Sequence, residues 1–139
     1  MSKTTLGFIF SGLVYLLIGV TLGVLFYAVP DTLRLKTVHV HLNLVGFVIF
    51  LIMGIGYHIL PRFRGRPLHS EKLAWVGFWL SNIGLVGLTL VNGLRAYGVL
   101  PNVWYVQALF GGVLTLSIYL FIYNMFRTLV VPAAPTAKK

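Results

Sequence analysis

The sequence predicts an all-α integral membrane protein of four transmembrane helices, with both termini on the cytoplasmic side. Three observations lead there. The 139-residue chain is 58% hydrophobic and 9% charged, with a mean hydropathy of +0.92, far from the composition of soluble domains. Four apolar stretches, Leu6 to Val29, Val38 to Leu60, Leu73 to Leu94 and Val103 to Phe126, each reach roughly 33–36 Å at ~1.5 Å per residue, enough for a hydrocarbon core of ~30 Å. The basic residues also divide unevenly. Lys3, Arg62, Arg64, Arg66, Lys72, Arg127, Lys138 and Lys139 fall on one side of a four-span chain, and only Arg34, Lys36 and Arg95 on the other. The richer side is cytoplasmic by the positive-inside rule.

Each element has its own punctuation. The first stretch is too long for a signal peptide and lacks a small-residue cleavage site before Pro30, so it is expected to be a mature helix. Residues 29–36, VPDTLRLK, form the first outer connection, where Pro30 and Asp31 break the helix. Residues 61–72, PRFRGRPLHSEK, make a basic cytoplasmic connection marked by Pro61, Gly65 and Pro67. Residues 95–102, RAYGVLPN, return on the outer side. Trp75, Trp79, Tyr97, Trp104 and Tyr105 stand near span ends, where amphipathic rings favour the headgroup level. Gly19 and Gly23 have the G-x-x-x-G spacing that permits close helix packing. Residues 1–130 are expected to form one four-helix domain, and the Pro/Ala/Lys-rich tail 131–139 to be disordered.

Composition excludes several chemistries. The net charge of +9 is accounted for by membrane topology, so the lipid bilayer and not nucleic acid is the expected partner. With no cysteine, disulfides, thiolate metal sites and covalently attached c-type haem are out of reach. Asp31 and Glu71 are the only acids, and both fall in connections. No carboxylate pair is therefore available for general acid–base work, nor an intramembrane acid to relay protons.

The chemistry-bearing residues are histidines. His39 and His41 open the second span near its outer end. Two positions apart on an α-helix, they point about 200° apart and cannot easily grip one ion, but each can serve a different side of the helix. An imidazole inside the membrane is a functional candidate, and imidazole is a common haem and metal ligand. A polar helix start satisfied by water is the alternative, and spacing alone leaves both open. His58 lies about 25 Å along the axis from His41, at the other face, where it can bond a carbonyl or a lipid headgroup. His69 falls in the cytoplasmic connection and is expected to be solvated.

The longer string HVHLNLVGFVIFLIMGIGYHILPRFRG, residues 39–65, resembles the tenth transmembrane helix of subunit I of the haem–copper oxidases, the superfamily of cytochrome oxidases and nitric oxide reductases. The shared elements are His39-x-His41, Ile52-Met53-Gly54, His58, Pro61, Phe63 and Gly65. GLRAY, Gly93 to Tyr97, is similar to the family's outer Arg-Arg-Tyr segment, whose arginines pair with haem propionates; Arg95 matches the first, and Ala96 replaces the second. The resemblance implies that His39 occupies the position that holds the high-spin haem and His41 the one that holds the low-spin haem. It covers about Leu35 to Tyr97 well and the other helices thinly. The family's copper ligands, a His-His pair and a His-x-x-x-Tyr, are missing here, so no oxygen-reducing centre is expected and an enzymatic activity is left open. The family's subunit has three four-helix arcs with the ligand helix second in each, and this sequence resembles one arc.

The expected function is that of a b-type haem protein in electron transfer or haem binding, holding noncovalent haem b through His39 and His41. Arg95, Arg34 and Lys36 are expected at the propionates. Because the two histidines face opposite ways, each haem is expected to bridge protomers of a homo-oligomer, most simply a homotrimer in a bacterial or archaeal cytoplasmic membrane. The alternatives are a cofactor-free accessory subunit of a respiratory complex, and a sensor or enzyme in which one histidine holds a haem open to nitric oxide or oxygen.

Overall fold

A computed structural model of the chain describes residues 1–130. It contains four long helices, α1 (Lys3–Ala28), α2 (Pro30–Phe63), α3 (Glu71–Ala96) and α4 (Trp104–Leu129), each long and apolar enough to cross a membrane. Among the described residues there is no strand. The expected tail, 131–139, lies outside the described residues.

The second helix departs most from expectation. It begins at Pro30 instead of Val38 and runs two residues past Pro61. Pro30 suits a helix start because its fixed φ is helical and its missing N–H has no role there. Residues Pro30–Leu35 therefore wind as a 3₁₀ turn, where an open connection was expected, with Thr32 N–H donating to the Val29 carbonyl at 2.9 Å. An α-helical piece, Lys36–His41, carries both histidines, and a π-helical piece, Leu42–Ile49, follows at once before α-helix resumes over Phe50–Phe63. Such wider turns are rare and collect at functional sites.

The end of α2 explains the Pro-x-Phe-x-Gly spacing. Gly65 adopts φ +65, which side chains with a Cβ resist. Gly65 N–H donates to the Arg62 carbonyl at 2.9 Å, and Arg66 N–H reaches back to the Pro61 carbonyl at 3.1 Å, the paired bonds of a Schellman ending. Helix α3 ends the same way at Gly98, φ +72.

Helix α1 packs along α2, and α3 along α4. Phe8 sits at the centre, fully buried, with the rings of Phe50 and Phe78 edge-on at 5.3 and 5.2 Å; such aromatic pairs add ~0.5–1.5 kcal/mol each beyond burial. Apolar area does little to hold helices together in lipid, so polar contacts across helices matter. Tyr15 Oη donates to Asn82 Oδ1 at 2.7 Å, and Ser81 Oγ to Ser117 Oγ at 2.9 Å. Asn124 on α4, fully buried, holds the start of α3. Its Nδ2 donates to the Ser70 carbonyl at 2.8 Å, and its Oδ1 accepts from Ser70 N–H at 3.1 Å. Ser70 in turn caps α3 by accepting from Leu73 N–H. The ends of the bundle thus differ: residues 1–2, the α2–α3 connection and the end of α4 share one, and the histidine pair lies at the other.

Asn124→Leu leaves the Ser70 N–H and carbonyl without these partners, each at a cost of about 1–3 kcal/mol where water does not replace them. The variant is expected to melt earlier in detergent, with helix content retained below the transition by circular dichroism. An unchanged melting temperature would mean that Asn124 does not hold the α3 cap.

Candidate functional site

His39 is half-buried, with its ring against α1. Its Nδ1 lies 2.8 Å from the Gly19 carbonyl oxygen. A carbonyl can only accept, so Nδ1 carries a proton, and in the neutral ring Nε2 is left with a bare lone pair. The approach depends on small residues. A Cβ on Gly23 would stand 3.0 Å from His39 Cε1, and one on Gly19 would meet the Asn43 amide at 2.5 Å. The G-x-x-x-G spacing in α1 is therefore the seat of a histidine and an asparagine.

Asn43, the first turn on from His39, donates from Nδ2 to the His39 carbonyl at 2.8 Å, with the same nitrogen 3.3 Å from His39 Nδ1. It lies inside the π-helical piece and ties that irregular backbone to the histidine's turn. Phe26 stands 5.2 Å from the His39 ring, centroid to centroid. His39 lines an open groove of about 720 Å³ whose other walls are Val20, Gly23, Val24, Phe26, Tyr27 and Leu33. The lone imidazole stands in a wall otherwise almost wholly apolar.

His41 has the same tautomer by a different route. Its Nδ1 donates to the Thr37 carbonyl one turn back, at 2.8 Å. It is also half-buried, about 200° around the helix from His39. In the neutral form both imidazoles thus present an unprotonated Nε2, the form a metal requires, with the ring orientation fixed by a carbonyl on the other nitrogen. They do not converge. Among the described residues no three of His, Asp or Glu come together as ligands for one bare ion.

The cations are placed less favourably. Arg34 forms an exposed ion pair with Asp31, Nε to Oδ1 at 2.7 Å, and lies 5.8 Å over the Tyr97 ring. This brings the start of α2 against the end of α3 at the histidine end. Arg95 donates from Nη1 to Gln107 Oε1 on α4 at 3.1 Å, and Gln107 donates to Asn92 Oδ1 at 2.6 Å. Helix α4 does not line the His39 groove, so the structure does not bring Arg95 to His39. Lys36 is exposed in the first α-helical turn of α2. His58 lies at the opposite end beside Arg62, and exposed His69 sets its ring 6.0 Å from Tyr123.

Sequence reasoning missed the Gly19 carbonyl, Asn43 and the π-helical turn. The glycine spacing is the visible signal for the first, though by itself it indicates only close helix packing. A polar residue four positions after His39 was the signal for the second.

Four apolar helices with an H-x-H pair at one end define an integral membrane protein related to the haem–copper oxidases. Residues 3–138 match the family model described as Cytochrome C and Quinol oxidase polypeptide I, and the chain belongs to that family. It is 41% identical over 49 residues to the Cbb3-type cytochrome c oxidase subunit CcoN1 of Stutzerimonas stutzeri. The aligned stretch makes up 34% of this chain and 10% of that relative, so the chain matches only a small part of the relative's length. No solved structure matches the chain.

Gly23→Val is expected to push the His39 ring off α1 and leave His41 alone. In ¹⁵N spectra of histidine-labelled protein, the wild type should show both rings as the Nδ1–H tautomer. In the variant only the His39 signals should move toward mixed tautomers, and unchanged signals would mean that the ring is not seated on Gly23.

Proposed function

We propose that this chain binds haem b noncovalently through Nε2 of His39 and of His41, and serves in electron transfer or haem binding in the membrane. The single observation that carries this is the matched pair of tautomers. Both rings spend Nδ1–H on a carbonyl, and both offer a bare Nε2 at the same end of the bundle. The groove at His39 fits a flat apolar macrocycle: it is large, glycine-floored, walled by apolar and aromatic residues, and supplies one imidazole. When bound, the haem iron supplies one-electron redox chemistry.

The protein's own residues do the rest. Gly19 and Thr37 carbonyls hold the two rings, Gly23 makes room, and Val20, Val24 and Phe26 exclude water. Arg34, Lys36 and Arg95 stand at the same end and are proposed to face the propionates, Arg95 with the guanidinium nitrogens not spent on Gln107. The excess of lysine and arginine at the other end favours that end as cytoplasmic. Since His39 and His41 face opposite ways, one four-helix unit does not close both axial positions of one haem. A ring of copies does, with His39 of one protomer and His41 of the next on the same iron, and three protomers are the simplest closed ring for an arc-like unit.

A second reading rests on a specific difference between the histidines. His39 has a groove of its own, whereas His41 bonds only within its own helix turn. Haem held by His39 alone would keep an open face for a diatomic gas.

Protein purified from haem-replete cells is expected to carry haem b extractable by acid acetone. In the bridged ring, His39→Ala and His41→Ala should each convert a six-coordinate low-spin spectrum into a five-coordinate one that binds carbon monoxide, and both should loosen the oligomer, because haem loss and assembly are linked. Equal mixtures of the two variants should recover part of the low-spin signal. A colourless wild type rejects haem binding. A carbon monoxide-reactive wild type that is unaffected by His41→Ala selects the second reading.

Arg95→Ala is expected to lower the haem midpoint potential. A cation near the propionates disfavours the extra positive charge of ferric iron, so its removal favours oxidation. An exposed pair worth ~0.5–1 kcal/mol corresponds to about 20–40 mV for one electron. Redox titration of both proteins checks it, and an unchanged potential would place Arg95 away from the cofactor.

A further inference from the structure

We propose that the pocket beneath the α2–α3 connection binds one phosphate group, supplied by the headgroup of an anionic phospholipid. The pocket, about 230 Å³, is lined by Thr5, Tyr57, His58, Arg62, Arg66 and Glu71. It lies at the end of the bundle opposite the H-x-H pair and is independent of haem.

The backbone builds it deliberately. His58 and Arg62 are one turn apart on α2 and share a face. Without the Gly65 ending the chain would run on past the rim. The Schellman turn instead brings the Arg66 N–H back to the Pro61 carbonyl, and Arg66 joins the same pocket wall. Two guanidiniums and an imidazole thus line a space with room for a phosphate and ordered water but not for a nucleotide. Guanidinium forks suit phosphate oxygens better than any other common anion at a membrane surface.

A further observation points to an anion. On this rim Lys3, Arg62, Arg64, Arg66, Lys72 and Arg127 stand against the one acid, Glu71, so the local field is positive with the carboxylate included. A lipid source is favoured over free phosphate because the pocket opens where helices leave the bilayer, the depth at which basic pockets between membrane helices take anionic headgroups. Phe63, one residue from Arg62, is 84% exposed and offers an apolar surface for the acyl chains.

The experiment is native mass spectrometry of the purified full chain in neutral detergent, supplied in turn with phosphatidylglycerol, phosphatidylcholine and inorganic phosphate. One phosphatidylglycerol per chain is expected to be retained at least tenfold over phosphatidylcholine. Arg62→Gln and His58→Ala should each cut that retention at least threefold, and Arg64→Gln, whose Nε donates to the Leu129 carbonyl outside the pocket, should not. His58→Ala removes a half-buried ring from the pocket wall and tests the site even if Arg62→Gln fails to fold. Binding of inorganic phosphate, lost in the same two variants, with no retained lipid would support the site and assign it to the soluble anion. Equal retention of the two lipids, or phosphatidylglycerol retention unaffected by Arg62→Gln and His58→Ala, would overturn the proposal.

Discussion

The bond from His39 Nδ1 to the Gly19 carbonyl is the constraint around which the histidine end is arranged. That carbonyl belongs to a helix interior and has a second lone pair to offer. The ring can reach it only because α1 has glycine at 19 and 23, so the two helices run close enough for an imidazole to lie between them. Asn43 fills the space over Gly19 and bonds the His39 backbone. Inside a membrane, where water does not satisfy stray donors, each of these contacts answers a need created by the one before it. The fixed tautomer is a result of packing as much as of chemistry.

Much of the fold was legible because the bilayer imposes a simple length rule. Four apolar runs became four helices, and the Pro-x-Phe-x-Gly spacing ended the second one through Gly65. The early start of α2 at Pro30 was hidden because proline signals both a break and a first turn, and only the surrounding backbone decides between them. The π-helical turn over Leu42–Ile49 left no trace in the hydrophobic pattern, which reads as continuous apolar sequence under either winding. At the site, the histidine pair and its opposite facings were readable from spacing. The Gly19 carbonyl was not, because a backbone acceptor carries no residue identity. Arg95 is the opposite case: its position matches a motif, whereas its partner Gln107 on α4 left no signal in the spacing.

The two ends of the molecule use charge differently. At the histidine end Arg34 pairs with Asp31 and lies over Tyr97. At the other end the side-chain cations outnumber the carboxylate of Glu71 among the described residues. Matching Schellman endings, at Gly65 and Gly98, turn the chain at each end, and the residues that follow give those turns different surroundings.

The Asn124 clamp has a consequence for how the chain is made. Ser70 precedes Asn124 by 54 positions, so during synthesis the start of α3 emerges well before the side chain that secures it. Until α4 enters the bilayer, the Ser70 backbone groups must be served by water at the membrane surface. Arrival of Asn124 exchanges that water for a two-point bond. The later helix therefore finishes the earlier one, and the α3–α4 hairpin matures as a unit after translation of both.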